Sequence, residues 1–498
     1  MSADAEKRPV TDYAEGHTRD LTVNFNLWST LGLVYSLTAT PFGVGTYLSL
    51  NLFLGGSPFY IYGYIFAVSL NIILCVCLAE MSALHPHPSG QIYWTAKFAS
   101  ERWARPLSYW TGVFASAAWF FWTAGTFLLV AQLLLAFITA LQPSYLQEIW
   151  HTVLAAFACA LASLVLNVPA FRSLPFIAKV MVIVTNCGTV LCAVALLVRA
   201  NPKRSAKEVF LDITNESGWD NIGAVFFLSL LPGVTAINGF DSAAHLAEEM
   251  DDPARQVPQV MIGNTLLSGL VGLPMAIVFF FCITNPDGLV EPVGGQVVMQ
   301  IFLDSLQSRG LFIVCGFLWV FVTFIASVSV TTTTSRVWWS FARQGGLPFH
   351  KWLSQVYDMS SSTVPANAVY SAVLLSCILI LLYLGPTLVL NAILGTASLC
   401  FYLSYAIPIG SMLYRKHVDT LPEHYFNLGR IPGNILLCIS GIWCIFISIW
   451  LVIPLMRPVD SSNMNYSTSV LACLVLIFSV HWVVSGRRHY KVPDPLII

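Results

Sequence analysis

The chain has 498 residues, of which 56% are hydrophobic and only 10% are charged. Because ordinary soluble domains carry about 25% charged residues, this composition excludes a soluble globular protein and predicts a protein that crosses a lipid bilayer many times. The formal net charge of −1 excludes a strongly basic surface and gives no indication of a nucleic-acid partner.

Apolar stretches long enough to cross a hydrocarbon core of about 30 Å occur twelve times along the chain. The first six lie near 28–52, 59–84, 107–140, 149–168, 175–199 and 221–247. The second six lie near 260–284, 311–337, 365–384, 387–412, 434–455 and 466–485. We therefore predict an all-α polytopic fold of twelve transmembrane helices over 27–485, with polar tails at 1–26 and 486–498.

Lys and Arg are divided unevenly between the two sets of predicted loops. All but six of the 24 basic residues fall in the tails or in loops on the same side as the tails. The six on the other side are Arg199, Lys203, Arg204, Lys207, Arg309 and Arg457. Basic residues accumulate in cytoplasmic loops, so we expect both termini to be cytoplasmic.

Two predicted spans are interrupted by glycines. The first contains the run TPFGVGT at 40–46, and the sixth contains PGVTAINGFD at 232–241. Helices broken at equivalent places in two halves indicate the substrate site of a secondary transporter. They predict repeat one at about 27–199, repeat two at about 221–412 and two extra helices at about 434–485. Five spans is an odd number, so the two repeats are expected to be inverted. Close helix packing is the alternative role of the glycines.

Broken helix ends present backbone groups to a ligand. N–H groups near Gly43 to Thr46 and near Gly239 to Asp241 suit a substrate carboxylate, because helix starts carry partial positive charge. Carbonyls near Thr40 and Ile237 suit an ammonium group. The predicted substrate residues on the two breaks are Thr40, Gly43, Val44, Gly45, Thr46, Ile237, Asn238, Gly239, Phe240 and Asp241.

Asp241 is the most informative single side chain, since a carboxylate at membrane depth normally faces a cavity or a partner. Asp241, His245 and Glu248 are spaced to share one helix face, which predicts a proton path from the site towards the cytoplasm. The alternative is that Asp241 only caps the start of a helix and Glu248 only marks its cytoplasmic end.

Two further charged residues are candidates for coupling or gating. Glu80, at the end of the second span, is expected to pair with Lys97, Arg102 or Arg336 and hold an inner gate shut; interfacial placement is the alternative. Lys179, just inside the fifth span, could pair with a carboxylate or replace a coupling cation, or could extend to the membrane interface.

Hydroxyl and aromatic side chains give weaker signals. Span 8 carries six hydroxyl side chains that could hold sodium: Ser327, Ser329, Thr331, Thr332, Thr333 and Thr334. Hydrogen bonding between helices is the favoured interpretation of these hydroxyls. Aromatic faces bind quaternary ammonium groups well. Candidates to line a pocket are Trp119, Phe120, Phe121 and Trp122 in span 3, Phe240 in span 6, and Phe401 and Tyr402 in span 10; packing is the alternative.

Several strings resemble the fungal amino acid/choline transporter family of the amino acid–polyamine–organocation superfamily. They are Glu80-Met81-Ser82 with PSGQIYW at 88–94, GFDSAAH at 239–245 with Glu248-Glu249, Ser335-Arg336 with Phe341-Ala342-Arg343, Asn391-Ala392-Ile393, Tyr405-Ala406-Ile407-Pro408 and Met464-Asn465-Tyr466. The family usually has a second glycine where this chain has Gln91. The resemblance implies a LeuT-like fold and proton-driven uptake of amino acids, GABA, choline or polyamine-like solutes, by default at the plasma membrane.

These observations predict a proton-coupled importer of a small amine that works by alternating access, and not an enzyme. The twelve cysteines lie in or at the ends of apolar spans, and no metal-ligand spacing or cofactor motif is present. A nutrient receptor that does not transport, and a facilitative exchanger, remain the alternatives.

Overall fold

The computed structural model describes residues 19–359, 362–385, 389–418, 422–461 and 463–495. Residues 1–18 of the predicted N-terminal tail and 496–498 of the C-terminal tail lie outside the described residues. The described chain is predominantly helical; its strands are β1 (Tyr357–Met359) and β2 (Ser362–Val364), which form an antiparallel hairpin.

The helices follow one another along the chain with short connections. The first ten are α1 (Leu27–Thr38), α2 (Thr40–Thr46), α3 (Gly56–Leu84), α4 (Gln91–Phe98), α5 (Glu101–Leu141), α6 (Ile149–Asn167), α7 (Leu174–Arg199), α8 (Ala206–Phe210), α9 (Ile222–Leu228) and α10 (Leu231–Thr235). The remaining ten are α11 (Ser242–His245), α12 (Pro253–Phe281), α13 (Val297–Leu306), α14 (Arg309–Arg343), α15 (His350–Leu353), α16 (Ala366–Ile380), α17 (Val389–Val418), α18 (Arg430–Trp450), α19 (Ser467–His481) and α20 (Arg487–His489).

Ten helical segments in the described ranges are long and apolar enough to cross a membrane, and each falls on a predicted span. They are α3, α5, α6, α7, α12, α14, α16, α17, α18 and α19. The prediction of an all-α polytopic membrane protein is therefore confirmed. Helices α4 and α13, at loops between predicted spans, were not predicted.

The first and sixth predicted spans are interrupted. Between α1 and α2, Ala39 adopts a left-handed conformation with φ 38° and ψ 40°. Between α10 and α11, the chain from Ala236 to Asp241 leaves the helix, with Gly239 at φ 88°. The expectation that the second half of the first span begins near Gly43 is wrong: α2 begins at Thr40.

The interrupted segments lie inside the bundle. Helix α5 packs along α14 and α17, α12 packs along α3, and α1 packs against α7, α12 and α14. Helix α19 lies at the periphery, where all its residues except Ser467 are exposed or half-buried. Apolar exposure of this kind is what a lipid-facing helix requires, since lipid tails replace water around it.

Both described chain ends lie on one face of the bundle. Asp20 pairs with Arg343 at 3.0 Å, and the N–H of Lys491 donates to the carbonyl of Gln344 at 2.9 Å. We call this side the terminal face. On the opposite face, the N–H of Arg457 donates to the Ser217 carbonyl at 2.7 Å.

Candidate functional site

The two interruptions meet in the middle of the bundle. The hydroxyl of Thr40, the first residue of α2, donates to the carbonyl of Ala236 at 2.7 Å. Thr40 and Ala236 are both buried. A side chain from the first break therefore satisfies a backbone carbonyl that the second break releases, as a broken helix in a bilayer requires.

The other predicted residues of the first break face neighbouring helices. The N–H of Gly43 donates to the Ala39 carbonyl at 2.9 Å and so belongs to the helix. A Cβ added to Gly45 would lie 2.6 Å from Trp319, and Trp319 Nε1 donates to Thr46 at 3.1 Å. Val44 is fully buried. At Gly45 the structure matches the packing alternative.

A small cavity lies beside the second break. It measures about 10 Å³ and is lined by Tyr47, Trp122, Thr235, Asn238, Leu394, Ala397, Ser398 and Phe401. We call it the inner cavity. The Oδ1 atom of Asn238 is buried and has no hydrogen-bond partner among the described residues, so it offers an acceptor to a ligand. Of the predicted substrate residues, Trp122 and Asn238 line this space, whereas Ile237, Phe240 and Asp241 do not.

A larger cavity extends from the inner cavity towards the opposite face. It measures about 280 Å³, and we call it the vestibule. Tyr47, Thr235 and Leu394 line both spaces. None of the described residues that line either space is charged. The site is thus approached from the opposite face through an uncharged, largely apolar and aromatic passage.

Asp241 lies at the terminal-face end of the second break and is completely buried. Its Oδ2 accepts hydrogen bonds from Gln91 Nε2 at 3.0 Å and from Trp119 Nε1 at 3.2 Å, and it lies 3.2 Å from His245 Nε2. Its Oδ1 accepts from the Tyr405 hydroxyl at 2.7 Å. The side chain makes no capping bond to α11, so the alternative of a simple helix cap is wrong.

An aromatic layer separates Asp241 from the inner cavity. The rings of Trp119 and Trp122 stack at 5.5 Å, and Phe401 meets them edge-on at 5.1 Å and 5.2 Å. Trp119 bonds to Asp241, whereas Trp122 and Phe401 line the cavity. The carboxylate therefore lies one ring layer away from the inner cavity.

Glu248, the last residue of the predicted proton path, and its neighbour Glu249 pair with arginines of α14. Glu248 Oε1 lies 3.0 Å from Arg343 Nη1, and Glu249 Oε1 lies 2.9 Å from Arg336 Nε. Glu248 also accepts from the N–H of Asp20 at 3.1 Å. Asp241 and His245 are in contact as predicted, and the Glu248 carboxylate belongs to the ion pairs that close the terminal face.

Glu80 has a different partner from the three that were predicted. Its Oε2 lies 2.6 Å from Lys416 Nζ at the end of α17, and its Oε1 accepts from the N–H of Leu428 at 3.0 Å. Glu80 is completely buried. The pair ties α3 to α17 and to the segment before α18.

Lys179 and the span 8 hydroxyls take structural positions. Lys179 is exposed on α7, as expected of a side chain that extends along the membrane surface. Hydroxyls of α14 bond to other helices: Thr334 with Thr123 at 2.7 Å, and Thr332 with Asn167 at 2.6 Å. These contacts agree with a role in helix–helix hydrogen bonding.

Two partners of Asp241 were missed as site residues. Gln91 begins α4, and Tyr405 lies in α17; both are far from Asp241 along the chain. Both residues fall inside the sequence strings that resemble the transporter family, and this was the available signal. Gln91 also stands where the family string usually has a glycine.

The chain belongs to the amino acid permease family, whose model matches residues 25–478. It is 27% identical over 485 residues to the choline transporter of Saccharomyces cerevisiae, covering 97% of this chain and 84% of the relative. It is also 27% identical over 480 residues to the swainsonine transporter swnT of Arthroderma benhamiae, covering 94% of this chain and 92% of the relative. Amino-acid permease BAT1 of Arabidopsis thaliana is 24% identical to it over 515 residues, covering 99% of this chain and 98% of the relative.

These similarities confirm the resemblance drawn from the motifs. Together with the ten apolar helices they identify a multi-pass membrane transporter of small organic solutes, and not an enzyme.

Proposed function

We propose that this protein imports a small amine-containing solute, such as an amino acid, GABA or a choline-like compound, by proton symport. The bundle acts as a twelve-helix, LeuT-like transporter. The ten long helices supply ten of the spans, and the interrupted segments 27–46 and 222–245 supply the other two. Both described chain ends lie on the terminal face, which agrees with an even number of spans.

The observation that carries the substrate proposal is the uncharged aromatic lining of the inner cavity beside the second break. Trp122, Phe401 and Tyr47 present rings there, and Asn238 presents an unpartnered carbonyl oxygen. Aromatic faces attract a cationic ammonium group even where no carboxylate contacts that group. The similarity to a choline transporter agrees with this preference.

Alternating access follows from the asymmetry between the two faces. The vestibule reaches the inner cavity from the opposite face, whereas ion pairs of Glu248 and Glu249 close the terminal face. Release on the terminal side requires those pairs to separate. The distribution of Lys and Arg indicates that the terminal face lies on the cytoplasmic side. In the plasma membrane, this cycle imports the solute.

Proton coupling rests on the buried pair of Asp241 and His245. A carboxyl group at membrane depth in contact with a histidine forms a pair that is suited to gain and lose one proton during the cycle. Sodium is the less favoured coupling ion, because the span 8 hydroxyls engage other helices.

The test is uptake of labelled choline, GABA and a pool of amino acids into cells that express the protein, with and without a proton uncoupler. We expect uptake of one solute that is abolished by the uncoupler and by Asp241→Asn. Asp287→Asn, at an exposed loop position, is the matched control and retains wild-type uptake.

Other outcomes separate the alternatives. Uptake that survives both the uncoupler and Asp241→Asn indicates facilitative exchange and removes Asp241 from coupling. Binding of a solute to the purified protein without flux into vesicles indicates a receptor.

A further inference from the structure

His245 is placed between two hydrogen-bond acceptors. Its Nδ1 lies 2.9 Å from the carbonyl oxygen of Pro88, and its Nε2 lies 3.2 Å from Asp241 Oδ2. The ring is buried, with 1% of the residue exposed. A neutral imidazole has one N–H and can donate to only one of these two oxygens, whereas an imidazolium donates to both.

The proton that satisfies the second contact comes from the ring and not from Asp241. An ionised carboxylate offers about four acceptor sites, and here three side chains converge on Oδ2 and one reaches Oδ1. Gln91, Trp119 and Tyr405 each direct an N–H or O–H at it, and His245 is the fourth. This environment suits an ionised Asp241, which can accept a hydrogen bond from His245 but has no proton to donate to it.

The titratable groups near the pair come from α3, α17 and the segment before Pro88. Tyr405 on α17 is a hydroxyl donor, Cys75 on α3 is a buried thiol that interacts electrostatically with Asp241, and Nδ1 of His87 accepts from the N–H of Ser89 at 3.0 Å. The carboxylates that follow in the chain, Glu248 and Glu249, are paired with Arg343 and Arg336.

We propose that His245 carries the coupling proton and that its bond to the Pro88 carbonyl links that proton to closure of the terminal face. The inference rests on the proposed symport. In the closed conformation Nδ1–H donates to Pro88, in the segment between α3 and α4. When that segment moves away from α11, the Nδ1 proton passes to water on the terminal side and the ring becomes neutral. The ring regains a proton from the opposite side before the next closure.

Gly90 allows the close approach that this bond needs. Its φ is +50°, and a Cβ built on it would lie 3.0 Å from Cε1 of His245. The loop thus passes directly against the imidazole edge, where a larger residue would displace the ring from Pro88.

The functional test uses wild-type, His245→Gln and His481→Gln protein in proteoliposomes. Uptake of labelled choline, or of the solute found in cells, is measured together with internal pH under an imposed proton gradient. His481 bonds to Tyr109 away from the site and is the matched control. We expect His245→Gln to lose proton flux and gradient-driven accumulation while it retains exchange of labelled for unlabelled solute. Proton flux that persists in His245→Gln overturns this inference alone. No proton flux in the wild type overturns the symport as well.

A second measurement does not depend on transport or on a folded variant. In ¹⁵N-histidine-labelled wild-type protein, solid-state NMR is expected to show one histidine with both ring nitrogens protonated and hydrogen-bonded, because each ring nitrogen of His245 faces a buried oxygen. Its absence, with every ring showing one unprotonated nitrogen, overturns the inference whatever the uptake experiment gives.

Discussion

Gly239 shows how a single residue shapes the candidate site. Its φ of 88° suits glycine, and an added Cβ would lie 2.7 Å from the Trp122 ring and 2.9 Å from Leu37. Gly239→Ala is therefore expected to strain the break and displace Trp122 from the inner cavity. Uptake should fall at least tenfold while the protein still reaches the membrane.

The matched control is Gly410→Ala on α17, where no atom lies within 4 Å of the added Cβ. It should retain wild-type uptake. Equal uptake by both variants would show that the left-handed conformation at Gly239 is not needed for transport.

The pair of Glu80 and Lys416 supplies a second residue-scale prediction. Both side chains are buried, so Lys416→Met leaves the Glu80 carboxylate without its cation, at a cost of about 3–5 kcal/mol. Thermal unfolding in detergent should show a clear drop in the midpoint.

The double variant Glu80→Gln with Lys416→Met removes both charges and keeps an acceptor for the N–H of Leu428. It should recover most of the lost stability. A double variant as unstable as Lys416→Met would show that the stability comes from packing of the lysine stem.

At the residue scale the sequence predicted contacts within one segment better than contacts between distant ones. The spacing of Asp241 and His245 placed them together, because helical geometry relates positions four apart. The Lys416 partner of Glu80 and the Gln91 and Tyr405 partners of Asp241 depend on how helices pack. One sequence contains no direct information about that packing.

At the scale of elements, the bond from Thr40 to Ala236 joins the two interrupted segments. Thr40→Val keeps the shape of the side chain but leaves the Ala236 carbonyl without this donor, a loss of about 1–3 kcal/mol for a buried group. We expect lower thermal stability and weaker uptake.

Thr40→Ser retains the hydroxyl and should behave like the wild type in both measurements. If valine and serine give the same unfolding midpoint, the two breaks are held together by packing and not by this hydrogen bond.

Element type was easier to predict than element boundaries. Hydropathy identified the ten long helices, because each must present an apolar surface to lipid. The break of the first span lies at Ala39, whereas the glycines that indicated it lie at 43 and 45. The surrounding structure imposes the left-handed conformation on Ala39, and nothing about an alanine in the sequence indicates that conformation.

At the scale of the whole molecule, ion pairs between separate parts of the chain contribute to closure of the terminal face. The segment after α11 is held to α14 by Glu248 with Arg343 and by Glu249 with Arg336, and Asp20 joins the first pair. These residues come from three separate parts of the chain. Opening towards the terminal side has to break ion pairs that are largely buried, so closure is favoured until something offsets that cost.

Arg343→Gln tests this balance. Removal of one partner of a buried ion pair costs about 3–5 kcal/mol, and about 1.4 kcal/mol changes an equilibrium tenfold. The variant should therefore populate conformations open at the terminal face. Hydrogen exchange should become faster in the segment 239–249, and the apparent affinity for solute added from the opposite face should fall as the closed fraction falls.

Arg309→Gln, at the other end of the same helix, should leave both quantities unchanged. Unchanged exchange in Arg343→Gln would mean that helix packing, and not these ion pairs, keeps the terminal face closed.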